Sequence, residues 1–105
     1  MTTKQLEELI VYVFKEVHKR NQQVGKDYPD SDSEDRLENL KVAAEKLNIT
    51  PFQACHILLT RYLEDIELFC KSTKPLVNKV VDEHITEAIF CLILLRALRE
   101  EKDIF

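Results

Sequence analysis

Glycine and proline are scarce in this sequence, with one glycine and three prolines among 105 residues. A β-sandwich or barrel needs a tight turn every ten residues or so, and this chain lacks the residues that make them. No period-two alternation is sustained either. A single glycine forbids a Gly-rich phosphate cradle or a P-loop, and no GxSxG nucleophile motif occurs. Cysteine is limited to three residues, Cys55, Cys70 and Cys91. They cannot all pair within one chain, there is no CxxC, and all three fall in apolar stretches. They read as reduced, buried thiols of a cytoplasmic protein. Long apolar runs are missing: Ala88 to Leu95 is the longest stretch, far short of the roughly 20 residues that span a bilayer. The start of the sequence is amphipathic, without an apolar h-region or small-residue cleavage site, so no targeting signal is expected.

What is present is charge and helical periodicity. Acids outnumber bases 19 to 15, a formal net charge of −4. That balance argues against direct nucleic-acid binding, which needs basic side chains against phosphate. It suits a protein that meets a basic surface or one that simply stays soluble. Length and composition are those of one domain, residues 1–105, with a core too small for a deep, enclosed active site.

Four helices are expected. The first runs from about Gln5 to Gln23 behind a Thr2/Gln5 capping box, with Leu6, Leu9, Ile10, Val13, Phe14 and Val17 on one face. Val11 and Tyr12 widen that face, which suggests more than one neighbour or a second subunit. Gly25 stands where a left-handed residue would stop the helix. A polar, turn-rich loop follows. The second helix spans about Glu34 to Leu47, capped by Ser31 or Ser33, with Leu37, Leu40, Ala44 and Leu47 in a narrow stripe and Asn48 just past its end. Thr50-Pro51-Phe52-Gln53 is the clearest start signal in the chain: an N-cap threonine, proline at the first helical position and glutamine at the third. From it the third helix extends to about Lys71, directing Phe52, Cys55, Leu58, Leu59, Tyr62, Leu63, Ile66, Phe69 and Cys70 to the core. Helix four begins between Pro75 and Asp82, ends near Glu101 and is apolar all round from Ala88 to Leu95, as a central or partner-covered helix is. The expectation is an all-α four-helix domain with an antiparallel hairpin of helices three and four.

Two groupings carry chemistry. From Asp27 to Glu38 there are six acids, Asp27, Asp30, Asp32, Glu34, Asp35 and Glu38, against the single base Arg36. They form a recognition patch, or simply a solvated loop whose acids favour the next helix dipole. Across the hairpin turn, Glu64 and Glu67 share one face and Glu83 and Glu87 another. A turn centred near 74–77 sets Glu67 opposite His84 and Glu64 opposite Glu87. Carboxylates with one histidine suit a divalent cation, Mg²⁺ or Mn²⁺, with Zn²⁺ favoured by the histidine. The plainer reading is solvated helix faces, with Glu67 and Lys71 as a surface i, i+4 pair. Cys55 and Cys70 are roughly 22 Å apart on one helix at 1.5 Å per residue and cannot share a metal. His18, His56 and His84 are isolated, and no catalytic residue is assigned.

Several short motifs occur in order: Asp27-Tyr28, Arg36-Leu37-x-Asn39-Leu40 with Ala43-Ala44, Thr50-Pro51, Glu83-His84-Ile85-x-Glu87-Ala88-Ile89, and Leu94-Leu95-x-Ala97-Leu98. Together, over about residues 26–101, they resemble small helical proteins encoded by phages and prophages, which are similar to MazG-type and nucleotide-modification-associated domains. In those relatives the last helix carries an Asp and then an Asn-Tyr pair, where this chain has Glu87 and Phe90-Cys91. The MazG-type resemblance implies nucleotide pyrophosphohydrolysis with Mg²⁺ on a four-helix carboxylate cluster. Here Glu64-Asp65-x-Glu67 and Glu83-x-x-x-Glu87 depart from that cluster, and fold alone does not carry activity.

The leading expectation is a non-enzymatic phage-type protein. It would bind and inhibit a basic, nucleic-acid-handling host defence protein through its acidic surface, as anti-CRISPR proteins do, in the host cytoplasm. The alternatives are a metal-dependent MazG-like pyrophosphohydrolase or a degenerate relative of one, using Glu64, Glu67, Glu83, His84 and Glu87, and a homodimeric helical scaffold. No cofactor other than a divalent cation and no membrane partner is expected.

Overall fold

A computed structural model of the protein describes residues 1–27 and 37–101. Among these residues the chain is all-α. Helix α1 is Thr3–Asp27, α2 Glu38–Leu47, α3 Pro51–Lys71 and α4 Asn78–Glu100. The chain divides into two compact units, Met1–Asp32 with α1 and Ser33–Phe105 with the other three helices.

Several helix ends have a local cause. At the start of α1 the Thr2 N–H donates to Gln5 Oε1 (2.7 Å) and the Gln5 N–H donates to Thr2 Oγ1 (3.1 Å), so two otherwise unpaired donors are satisfied reciprocally. Gly25 does not end this helix. It lies inside α1, and no glycine takes a positive φ. One glycine costs a helix only about 1 kcal/mol against alanine, too little to stop a long one. The expected Ser31 and Ser33 caps lie outside the described residues; the described part of α2 starts at Glu38, with Leu37 before it and no side-chain cap.

Asn48 closes α2 in the left-handed conformation (φ 56°, ψ 43°). Its N–H donates to the Glu45 carbonyl (3.1 Å), and the Ile49 N–H donates to the Ala44 carbonyl (3.0 Å). That is a Schellman closure, with asparagine in the place glycine usually takes. Thr50 immediately opens α3. Its Oγ1 accepts from the Gln53 N–H (3.1 Å), its own N–H donates to Gln53 Oε1 (2.9 Å), and Pro51 occupies the first turn. Helices α2 and α3 are thus joined by three residues, of which Asn48 ends one helix and Thr50 starts the other.

In the second unit α3 is the middle element, packed on α2 and on α4. Helices α3 and α4 are antiparallel: Cys55 touches Cys91, whereas Asp65 and Phe69 touch His84. The core comprises Leu37, Cys55, Leu59, Ala88, Cys91 and Leu98, with Leu40, Phe52, Tyr62, Ile66 and Leu95 among the half-buried residues around it. On α3 the buried line follows 3- and 4-residue steps through Cys55, Leu59, Tyr62 and Ile66, and on α4 through Ala88, Cys91, Leu95 and Leu98. Leu63, Cys70 and Leu47, expected inside, are exposed. Leu63 and Cys70 sit to one side of the buried line of α3, and Leu47 is the last residue of α2. In α4, Phe90 is also buried, but Leu92 and Ile93 are exposed, so the helix is not covered all round.

Two substitutions test this packing. Leu98, 1% exposed, should lose about 2–5 kcal/mol on truncation to alanine, the cost of a core leucine. Thr50→Ala should lose about 1 kcal/mol, the value of an N-cap. Urea midpoints at constant slope measure both, and changes below about 0.5 kcal/mol would contradict the assignments.

Candidate functional site

Where α3 and α4 converge towards their connection, one histidine collects several contacts. His84 Nδ1 lies 2.8 Å from the Val80 carbonyl oxygen. A carbonyl only accepts, so Nδ1 carries the proton and donates. Nε2 lies 3.2 Å from Asp65 Oδ2 across the helix pair. The ring also meets two aromatic rings of α3 edge-on, Phe69 at 5.2 Å between centroids and Tyr62 at 6.0 Å. Tyr62, Asp65 and Phe69 recur at i, i+3, i+7, so all three fall on the face that α3 turns to α4.

This geometry limits what His84 can do. Both ring nitrogens face oxygen acceptors. Nδ1 is committed to a carbonyl of its own helix, and Nε2 is the nitrogen turned to Asp65 of α3. His84 therefore acts as a clasp between two helices.

The expected carboxylate cluster takes a different form. Asp65, not Glu67, stands opposite His84. The level along the hairpin was near, but Glu67 lies off the α4-facing line of α3. Glu67 pairs instead with Lys71 along its own helix (2.8 Å), both ends exposed. Glu64 and Glu83 are exposed and Glu87 is half-buried. Among the described residues no three His, Cys, Asp or Glu side chains gather closely enough to hold a metal ion. Of the acidic segment, Asp27 is the last residue of α1 and Glu38 is half-buried in the first turn of α2. Asp30, Asp32, Glu34 and Asp35 lie outside the described residues.

The cysteines divide in two. Cys55 is fully buried, and its thiol points at the Cys91 carbonyl (Sγ to O 3.5 Å). Burial raises its pKa from 9.0 to about 11, so it stays a protonated, unreactive thiol at neutral pH. Cys91 is buried as well, whereas Cys70 is exposed.

Exposed apolar side chains are the larger feature that sequence reasoning only partly found. In α1, Leu6, Leu9, Ile10, Val11, Tyr12 and Phe14 all lie above two-fifths exposure. In the second unit Ile57, Leu63, Leu68, Leu76 and Val77 are exposed, as are Ile85, Leu92 and Ile93 of α4. The signal available was the width of the apolar stripe on α1 and the all-round apolarity of α4. Among the described residues no helix is long and apolar enough to cross a membrane.

No protein-family model matches this chain, and no curated protein or solved structure shows significant similarity to it.

Two measurements follow. His84→Ala should cost about 1–3 kcal/mol, from one or two hydrogen bonds and the aromatic edges, and Asp65→Asn about 1 kcal/mol or less, because that pair is partly exposed. No measurable loss for His84→Ala in urea titrations would contradict the clasp. For Cys55 the folded pKa is raised, so the thiol's contribution to stability is complete below about pH 9 and is lost as pH rises through about 11. Cys55→Ala should remove that alkaline slope. A slope as steep in the variant as in wild type would contradict the buried-thiol assignment.

Proposed function

We propose that the protein works by binding another protein, not by catalysis, and that its acidic segment recognises a basic surface. The observation that carries the reading is the charge pattern: six acids to one base between Asp27 and Glu38, in a chain of net charge −4. Complementary charge speeds encounter and rejects wrong partners. The partner with the matching chemistry is a nucleic-acid-handling protein, whose binding channel is basic because it must neutralise phosphate. An acidic protein seated there competes with the nucleic acid. A phage-encoded inhibitor of a host defence nuclease, of the anti-CRISPR kind, is the specific form of this reading, with the host cytoplasm as its place of action.

The pyrophosphohydrolase alternative needs Glu64, Glu67, Glu83 and Glu87 to converge on one cation. The cross-helix contact that forms is Asp65 with His84, and no observation favours the alternative over the binder.

The test is competition. The purified protein is titrated into RNA-guided nuclease complexes holding a labelled oligonucleotide, and fluorescence anisotropy follows release. Release of the oligonucleotide that weakens as salt rises is expected. A variant with Asp30→Lys, Asp32→Lys and Asp35→Lys should lose at least tenfold in potency while its thermal stability changes by about 1 kcal/mol or less, as for surface changes. Unchanged potency in that variant would contradict the role of the acidic segment.

A further inference from the structure

We propose that the end of the α3–α4 hairpin rests on an anionic lipid surface, with aliphatic side chains in the interface and lysines on the phosphates. The first observation is apolar exposure confined to that end. The buried core of the unit stops at Leu59 on α3 and at Ala88 on α4. Every residue from 71 to 80 is exposed. Leu76 is 42% exposed, and Leu68 and Val77 are 65% exposed. Leu68 lies in the last turn of α3, and the other two lie in the connection to α4.

The second observation is charge. Residues 68–81 hold three lysines, Lys71, Lys74 and Lys79, and no acid, whereas the rest of the chain has twelve bases and nineteen acids. Helix stability explains Lys71, which faces the negative end of the α3 dipole and pairs with Glu67. It does not explain Lys79, which stands at the positive end of α4 where the first turn has no acid. An anionic surface brings the negative charge that these lysines match. The same surface repels the acidic remainder of the chain, which turns the hairpin end towards it.

Composition selects lipid over an acidic protein. Protein interfaces are enriched in Tyr, Trp and Arg and depleted in Lys. Residues 68–81 contain no Tyr, Trp or Arg, and their one aromatic, Phe69, is turned edge-on to His84. A lipid interface takes the opposite set: aliphatic side chains enter the acyl boundary while lysine stems reach out to headgroup phosphates. Contact of this kind is peripheral and needs no spanning helix.

Flotation of the full-length protein with lipid vesicles tests this. Binding to vesicles of equal parts phosphatidylserine and phosphatidylcholine is expected, weakening as salt rises. Binding to phosphatidylcholine alone should be at least tenfold weaker. Lys74→Glu with Lys79→Glu should lose at least tenfold, since each lysine near an anionic surface is worth about fivefold in affinity. Leu76→Ser with Val77→Ser should also lose at least tenfold. All four residues are exposed, so the far-ultraviolet circular dichroism spectrum should not change. Leu9→Ser with Phe14→Ser, on α1, should bind as wild type does. Wild-type protein that ignores the mixed vesicles, or binds both kinds equally, overturns the proposal. Hairpin variants that bind like wild type, or an α1 variant that loses binding, overturn the assignment to this end of the hairpin. Binding to soluble polyglutamate but to no vesicle overturns lipid in favour of an acidic protein. The vesicles carry no nucleic acid and no nuclease, so failure here is distinct from failure of the competition assay.

Discussion

The contact on which the second unit depends is the crossing of α3 and α4 at Cys55, Ala88 and Cys91. These are small side chains, and all three are buried. Their size lets the thiol of one helix lie against a backbone carbonyl of the other. Larger residues at this point would hold the backbones apart and open gaps around Leu59 and Leu98, which the core could not fill without strain. Farther along, His84 and Asp65 join the same two helices by a polar contact, and Lys41 of α2 reaches Glu101 beyond the end of α4 at 2.9 Å. Both contacts are partly exposed and add little on their own. They align helices that burial has already brought together.

This crossing explains why the cysteines are structural. A thiol at a helix crossing is shut off from water, and its anion would be costly there. The exposed Cys70 lies beyond the buried line of α3 and takes no part. His84, the residue most suggestive of chemistry in the sequence, has Nδ1 on the Val80 carbonyl of its own helix and Nε2 facing Asp65 of α3.

Signals that act within a few residues were legible in the sequence. Thr50-Pro51-Phe52-Gln53 and Thr2/Gln5 form the expected capping boxes, Asn48 ends α2, and α3 runs from Pro51 to Lys71. In each case the donors and acceptors are supplied locally, so no knowledge of the fold is needed. What failed needed the fold. Leu63 and Cys70 are apolar at helical spacing, yet only the azimuth of α3 against two neighbours decides which apolar residues are covered. The same azimuth brings Asp65 and not Glu67 to His84. Gly25 looks like a stop in the sequence, but the cost of one glycine is below what ends a long helix.

The account rests on the α3–α4 crossing, which leaves His84 and the cysteines structural and the acids between Asp27 and Glu38 as the feature that points to a partner. Hydrogen exchange read by mass spectrometry tests that crossing most directly. The account predicts the slowest exchange in the chain for α3 and α4 around Cys55 and Cys91. Exchange there as fast as at the helix ends would contradict it.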